Sequence, residues 1–482
     1  MEIHMKQPHP ILQCLRMNDK RRLVSFTAIL VLLLALVLVP PVLKGYLNLS
    51  RAEDLATTDP GLAALNYETA AKLLPWRKDL WEQAGLMALT DENPDLAQYY
   101  LEHSPGLKPT GRLALGDAYF RLGEIESAIK QWEGLRDDGL GSAQLYNRLG
   151  HVYYQQGRYE EAVDVFSIAT RLDDLDADSF YMLGLMLSAQ SPQDALSPLI
   201  RAGQLDAELD PVIQVLRRGL NIALFSSDKA AQLTGAGRTL IAVGAWSLAK
   251  EAFVNATEAD SRYAPAWGWL GQIKQVFQEG GLPELDRALE LDKNSAEIRG
   301  LRAVFFMREN RFDEARVEFE EAARLEPMNP DWQVALGDVI ARTGDVPVGL
   351  EHYQAAIDLS PRKADYWRAL ANFTVDYNYN VKDIGFPAAL QARALAPDDL
   401  QNNITMGRVY FALGDLGAAK EIWEDVLQTN PETPAVHLYL GVLFLQQGIS
   451  KSAYDHFVQA VNLDPGGPYG AQAGRMLDQY FP

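Results

Sequence analysis

Three aspartates in one short segment have the spacing of metal ligands. Asp174, Asp176 and Asp178 alternate in the sequence, as do the first three ligands of a calcium-binding loop, whose carboxylate oxygens hold the ion. Such a loop also needs a glycine at its sixth position and a glutamate at its twelfth, but Ser179 and Leu185 stand there. We therefore interpret the segment as a turn in which an aspartate caps the next helix.

The other residue types that could perform chemistry lack the required arrangement. Of the seven histidines, only His4 and His9 lie three to five positions apart, which gives no zinc motif. The glycines of residues 464–470 follow a predicted helix, whereas a phosphate-binding loop follows a strand. Serines and histidines occur without a nucleophile motif. The sequence thus predicts no catalytic residue, no metal site and no cofactor.

Charge and length narrow the class of protein further. The chain of 482 residues carries a net charge of -20, whereas a surface that binds nucleic acid is basic, so we expect no nucleic-acid partner. The single cysteine, Cys14, excludes an internal disulfide and a multi-cysteine metal site. The chain is too long for one ordinary core, yet no low-complexity linker divides it. An array of repeats fits both observations.

Residues 23–43 contain no charge and are long enough to cross a bilayer as one transmembrane helix. Lys20, Arg21 and Arg22 precede this segment, while only Lys44 and Arg51 lie near its end. The positive-inside rule therefore predicts a cytoplasmic tail, residues 1–22, with the rest of the chain on the other side of the cytoplasmic membrane.

Two alternatives concern this N-terminal region. A cleaved signal peptide is one, but the segment is long for it, and Pro40, Pro41 and Val42 replace the small residues of a cleavage site. Met17 is also a suitable start, in which case residues 1–16 are not part of the protein.

The rest of the chain repeats with a period of 34 residues. In residues 143–176, apolar and small side chains recur at helical spacing, Gly157 interrupts the pattern, and the spacing then resumes, which predicts two amphipathic helices joined by a tight turn. Gly116, Gly150 and Gly184 mark three successive copies. Such a period is typical of a solenoid.

Departures from the period divide the array. Gly184 and Gly237 are 53 residues apart, 19 more than one period. We therefore predict an N-terminal array at 44–210, an irregular helical joint at 211–229, a C-terminal array at 230–467 and a capping helix at 468–482. The turn at 375–387 also departs from the repeat pattern. We expect partners to bind at such departures.

This pattern resembles the tetratricopeptide repeat family, which has Trp, Leu, Gly and Tyr at positions 4, 7, 8 and 11, and Ala, Phe, Ala and Pro at positions 20, 24, 27 and 32. The resemblance covers nearly everything after residue 43. Position 8 is occupied by Gly116, Gly150, Gly184, Gly237, Gly271, Gly337, Gly407 and Gly441, and position 32 by Pro75, Pro327, Pro361, Pro397, Pro431 and Pro465. The resemblance implies an all-α, right-handed superhelical solenoid of helix-turn-helix repeats, here preceded by one transmembrane helix.

The resemblance also implies a concave groove that binds a peptide or a partner helix through positions 5, 9, 12 and 13. The side chains at these positions include Asp117, Arg121, Asn147, His151, Tyr154, Gln155, Asp338, Arg342, Arg368, Asn372 and Arg408. The family members that bind chaperone tails have Lys and Asn at positions 5 and 9, where this chain has Asn147 and His151, so that class of partner is disfavoured.

We therefore expect a non-catalytic, membrane-anchored scaffold that binds other proteins and assembles an envelope or membrane complex. One alternative is a component of polysaccharide synthesis or export that binds a glycan or a glycosyltransferase. Another is an inverted topology with the repeats in the cytoplasm. The basic residues before position 23 disfavour the inverted topology.

Overall fold

The computed structural model describes residue 37 and residues 39–482. The predicted tail, 1–22, and most of the predicted transmembrane segment, 23–43, lie outside the described residues. No helix within the described part is both long enough and apolar enough to cross a membrane.

The described residues form helices connected by short turns, and their contacts divide the chain into two compact units, Met1–Arg217 and Arg218–Pro482. The first unit contains α1 (39–55), α2 (Pro60–Leu73), α3 (Asp79–Thr90), α4 (Pro94–Glu102), α5 (Pro109–Arg121), α6 (Ile125–Asp137), α7 (Ala143–Gln155), α8 (Tyr159–Leu172), α9 (Ala177–Gln190), α10 (Pro192–Leu205) and a 3-10 turn, Ala207–Leu209. Helix α11 (Asp210–Ala223) contains the boundary between the units, and the predicted joint, 211–229, corresponds to this helix and the turn after it.

The second unit has the same organisation. It contains α12 (Lys229–Ala242), α13 (Trp246–Ala259), α14 (Ala264–Val276), α15 (Leu282–Leu291), α16 (Ala296–Arg308), α17 (Phe312–Leu325), α18 (Pro330–Arg342), α19 (Val346–Leu359), α20 (Ala364–Asp376), a π-helical turn (Val381–Gly385), α21 (Phe386–Leu395), α22 (Leu400–Ala412), α23 (Leu416–Thr429), α24 (Pro434–Gln446), α25 (Ser450–Leu463) and α26 (Pro468–Tyr480). In both units, helices pack pairwise and each pair packs on the next, which confirms the predicted all-α solenoid of helix pairs within each unit.

Short-range signals set the ends of the helices. Asp176 caps α9, because its Oδ1 atom accepts a hydrogen bond from the Ser179 amide at 3.2 Å, which confirms the interpretation of that segment as a capped turn. Gly157 ends the turn between α7 and α8 with a φ of 74°, a conformation that glycine adopts without steric cost. In the copy at 296–325, Asn310 takes this position with a φ of 58°.

Glycine at position 8 lets the two helices of a pair approach closely. A Cβ atom added to Gly150 on α7 would lie 2.4 Å from the ring of Phe166 on α8, and Phe166 is fully buried. In the pair α5 and α6, Gly116 makes the same room for Trp132, whose Nε1 atom donates to the Leu113 carbonyl at 3.2 Å. The aromatic side chain at position 24 thus packs against the glycine of its partner helix.

One copy places buried charge at two other positions of the repeat pattern. Arg299 and Arg302 occupy positions 4 and 7 on α16, where the pattern has Trp and Leu, and both donate to Glu318 on α17. Arg302 also donates to Asp286 at 2.8 Å. The side chain of Glu318 is only 9% exposed, so these arginines supply the hydrogen bonds that a buried charge requires. The repeat pattern is therefore weak in the first half of this copy.

We expect Gly150→Ala to lower the free energy of unfolding by about 1–2 kcal/mol. Overpacking against the buried Phe166 costs about 1–3 kcal/mol, which exceeds the gain of about 1 kcal/mol in helix propensity. Gly474→Ala, on α26, is the matched control, because no atom lies within 4 Å of its added Cβ. That variant should be neutral or slightly stabilised. Urea unfolding followed by circular dichroism measures both, and equal effects of the two substitutions would contradict the packing argument.

Candidate partner-binding groove

A groove in the first unit runs across the first helices of three successive pairs, α3, α5 and α7. Two adjoining cavities of about 320 and 370 Å³ share Asp117, Arg121 and Arg148 in their walls, so they are parts of one groove, which we call the inner groove. Its lining comprises Leu86, Leu89, Thr90, Thr110, Leu113, Ala114, Asp117, Phe120, Arg121, Trp132, Gln144, Arg148, His151 and Gln155. The surface is mixed, with apolar side chains beside a few polar ones.

An ion pair in the wall of the inner groove connects two neighbouring first helices. Arg148 on α7 donates to both carboxylate oxygens of Asp117 on α5, with an Nη2 to Oδ2 distance of 2.9 Å. The Asp117 side chain is 16% exposed, and such bidentate pairs fix geometry as well as charge. The two charges cancel, so this pair positions the groove wall and adds no net charge to it.

A second polar contact connects α7 to α9. Asn147 donates to Asp178 at 2.8 Å, and His151 donates from Nε2 to the same Oδ2 atom at 2.6 Å, because an ionised carboxylate can only accept. Burial by itself would raise the pKa of Asp178, but the hydrogen bonds from His151 and Asn147 outweigh it and hold this pKa below its usual value. Asp178 therefore stays ionised as the acceptor for both side chains.

Two predicted groove residues remain available to a ligand. Arg121 is exposed, and its only hydrogen bond among the described residues is a long one of 3.4 Å to the Leu89 carbonyl. Gln155 is exposed at the end of α7. Tyr154 packs instead against Tyr159, with ring centroids 6.0 Å apart, and burial raises the pKa of its hydroxyl. The structure thus brings Asp117, Arg121, His151 and Gln155 into one cavity, and places Asn147 and Tyr154 outside its lining.

In the second unit, Asp338 and Arg342 on α18 contact α19 and α17. Asp338 accepts a hydrogen bond from the hydroxyl of Tyr353. Burial raises the pKa of Asp338, and the bond from Tyr353 only partly offsets it. The guanidinium of Arg342 lies 5.9 Å from the ring centroid of Phe312.

The remaining predicted residues connect α20 to α22. Arg408 donates to Asn372 at 2.7 Å and also to Asp376. Arg368 donates to Asp399 at 3.1 Å and to the buried Asn402 at 3.2 Å. These side chains hold successive pairs together, so a ligand would have to compete with contacts already made.

The sequence profile described as "Tetratricopeptide repeat" matches residues 113–177, 147–207, 306–364 and 404–468. These segments are tetratricopeptide repeats. The first two contain α7 and α9 and most of α5, and so contribute much of the inner groove. Arrays of such repeats serve protein–protein interaction.

Two curated proteins are similar to parts of the chain. BBSome complex member BBS4 from Bos taurus is 27% identical over 166 residues, which cover 34% of this chain and 31% of that protein. The CTR9 homolog from Arabidopsis thaliana is 23% identical over 232 residues, which cover 44% of this chain and 21% of that protein. The chain thus spans less than a third of the length of the curated relatives it matches. The solved structure of yeast Tom70 covers 90% of this chain and 95% of its own at 15% identity, with a TM-score of 0.43.

The predicted set omits several residues of the inner groove and of the polar contacts between pairs, among them Phe120, Trp132, Arg148 and Asp178. A sequence signal for two of them exists. Asp117 and Arg148 are 31 residues apart, as are Asn147 and Asp178. This spacing is about one helical turn shorter than the period of the repeat. A hydrogen-bond donor and an acceptor at that spacing therefore predict a contact between successive tetratricopeptide repeats.

A pair of histidines packs inside the last complete repeat. His437 donates from Nε2 to the Pro431 carbonyl at 2.9 Å, so its Nδ1 atom accepts from His456 Nδ1 at 3.0 Å. The ring of Phe444 stacks on His456 with centroids 5.4 Å apart. Burial, aided by the neighbouring His437, lowers the pKa of His456 to about 4.

The histidine pair should make the second unit less stable in acid. An unfolded histidine has a pKa of about 6.5, so between about pH 6.5 and 4 the unfolded chain binds more protons than the folded one. The stability contribution is complete above this window and is lost as the pH falls through it. We expect a loss of about 1–2 kcal/mol, below the full linkage value because the ring is partly exposed.

Urea unfolding at about pH 7 and about pH 4.5 measures this loss, and His456→Gln should reduce it. His103→Gln, at an exposed position, is the control and should leave the pH dependence unchanged. An undiminished loss in His456→Gln would exclude the histidine pair as its cause.

Proposed function

We propose that this chain is a membrane-anchored, non-catalytic scaffold whose inner groove binds an extended segment or a helix of another protein. The observation that carries the proposal is the groove across α3, α5 and α7, which combines an apolar floor with the exposed charge of Arg121. Neighbouring tetratricopeptide repeats in the array supply a long, pre-formed surface of this kind.

The chemistry of the groove favours a partner with apolar side chains and one carboxylate. Leu86, Leu89, Leu113 and Phe120 are only partly buried, so they offer apolar contact. Because Asp117 and Arg148 neutralise each other, the positive charge of Arg121 dominates locally. The chain as a whole has a net charge of -20, so Arg121 attracts a carboxylate of the partner only at short range. This attraction therefore selects one position of the partner.

A protein partner is favoured over a glycan. Trp132 lines the cavity but is only 1% exposed, and its Nε1 atom already donates to the Leu113 carbonyl. It therefore offers no free face on which a sugar ring could stack. A role in polysaccharide synthesis would have to place the glycan elsewhere or act through a glycosyltransferase as the protein partner.

The proposed anchor is residues 23–43, with the tail 1–22 in the cytoplasm and the repeats outside it. The uncharged length of the segment and the basic residues before it support this topology. One anchor raises the local concentration of the groove at the membrane, so partners of the same membrane complex bind as if concentrated. The groove would thereby assemble or organise that complex.

A reporter fused after Pro482 tests the topology. We expect an alkaline-phosphatase fusion, which is active only outside the cytoplasm, to be active, because the repeats follow the anchor. The same reporter fused after Asn18 is the internal control and should be inactive. A fluorescent protein that matures only in the cytoplasm, bright when fused after Pro482, would refute the topology.

We expect Arg121→Glu to weaken binding of the partner strongly, because it places a negative charge where the partner's carboxylate lies. The measurement uses a photo-reactive amino acid at Gln155, cross-linking in native membranes, and mass spectrometry of the cross-linked proteins. Partners captured by the wild-type groove should lose at least about tenfold in yield, equivalent to about 1.4 kcal/mol.

Arg171→Glu is the matched control, since Arg171 is exposed on α8 outside the groove lining. It should leave the cross-links unchanged. Equal yields from both variants would exclude the inner groove as the binding site. A detergent-solubilised chain that elutes alone and turns over a metabolite would refute the scaffold itself.

A further inference from the structure

The exposed face of α1 changes from apolar to polar along the helix. Val39, Leu43, Tyr46 and Leu47 lie on one face and are 46–59% exposed. The same face continues with Ser50 and Asp54, which are also exposed but polar. The rise of a helix puts Leu47 about 12 Å beyond Val39, so the change of character occurs within one further turn.

The opposite face of α1 packs on α2. Gly45 is buried there, and a Cβ atom added to it would lie 2.7 Å from Cγ of Leu74 and 3.1 Å from Cβ of Leu73. Residues 73 and 74 end α2, so the turn from α2 to α3 lies beside residue 45 of α1. Within this turn, Trp76 is 55% exposed.

The turn also carries basic groups. Arg77 donates to Asp79 at 2.9 and 2.8 Å, so its charge is compensated. Lys78 and, beside the turn, Lys44 are exposed, and neither forms an ion pair with a described residue. One edge of the first unit therefore combines two exposed aromatic side chains, Tyr46 and Trp76, with two uncompensated lysines.

We propose that this edge, formed by Leu43, Lys44, Tyr46 and Leu47 of α1 with Trp76 and Lys78 of the following turn, lies in the headgroup region of a lipid bilayer. The inference rests on the proposed membrane anchor. The proposed anchor, residues 23–43, is uncharged, and a helix of that many residues would cover about 30 Å, the thickness of the hydrocarbon core. Residues 44–47 would then follow at the depth of the headgroups.

The contact between α1 and the end of α2 fixes the depth of the turn. Because Leu73 and Leu74 contact α1 at Gly45, the turn that bears Trp76 is held at the same depth. Trp and Tyr are enriched at this depth because their rings are apolar and their N–H and O–H groups are polar, and Lys is attracted to anionic headgroups. The first unit is thus fixed against the membrane at two points and not by a single flexible connection.

The experiment measures the depth of the turn. In a Cys14→Ser background, the full chain carries Lys78→Cys labelled with an environment-sensitive fluorophore and is reconstituted into vesicles of phosphatidylcholine and phosphatidylglycerol. We expect headgroup spin-labelled lipid to quench this label several-fold more than a label at Leu175→Cys. Leu175 is the matched control, an exposed leucine in the turn between α8 and α9 of the same unit.

A second variant separates lipid contact from mere proximity. Trp76→Ser should reduce quenching at position 78, whereas Trp246→Ser, which replaces a tryptophan that is 42% exposed in the second unit, should not. Circular dichroism checks that each variant is folded. A blue-shifted label at position 78 without lipid quenching would mean that protein covers the edge, a second copy or another helix, and would overturn the proposal.

Vesicle flotation tests the membrane anchor separately from the position of the edge. If the chain does not float with the vesicles, the anchor is wrong and the edge proposal fails with it. If the chain floats but position 78 is quenched no more than position 175, the anchor stands and the edge proposal alone is refuted.

Discussion

Close contact between a glycine on the first helix of a pair and an aromatic ring on the second is the constraint on which both units depend. Gly150 with Phe166 shows its limit, because there is no space for even one methyl group. Helices held at this distance repeat at a constant offset, so polar side chains of successive first helices come within hydrogen-bonding distance. The inner groove is a consequence of that regular stacking.

Polar contacts between successive helix pairs are the second interaction that orders the array. Asp117 with Arg148, and Asn147 with Asp178, bridge neighbouring first helices at the same sequence spacing. The first of these contacts cancels the charges of Asp117 and Arg148, and the second satisfies the side chains of Asn147 and Asp178. What remains exposed, above all Arg121, is therefore the part of the surface that can distinguish one partner from another.

The sequence predicted the fold well because each environment recurs about every 34 residues, so weak signals at one copy are supported by the others. It predicted the groove less well. Repeat positions indicate which side chains face inwards, and His151 and Gln155, two of the residues predicted in this way, line the inner groove. They do not say which side chains already form hydrogen bonds, since that depends on residues in a neighbouring copy, as Asn147 and Arg408 show. The prediction omitted Trp132 because the pattern assigns position 24 to packing between paired helices, whereas this side chain also lines the cavity.

Departures from the repeat are of two physical kinds. Arg299 and Arg302 break the pattern but satisfy Glu318 within the same copy, so packing alone explains them. The rewritten turn at 375–387 likewise buries Val381 under its own helices. The edge at α1 differs, because no residue that the structure describes covers the exposed apolar side chains Leu43 and Trp76. A departure therefore indicates an external contact only where its apolar surface stays uncovered, since exposing such surface to water costs about 25 cal/mol per Å².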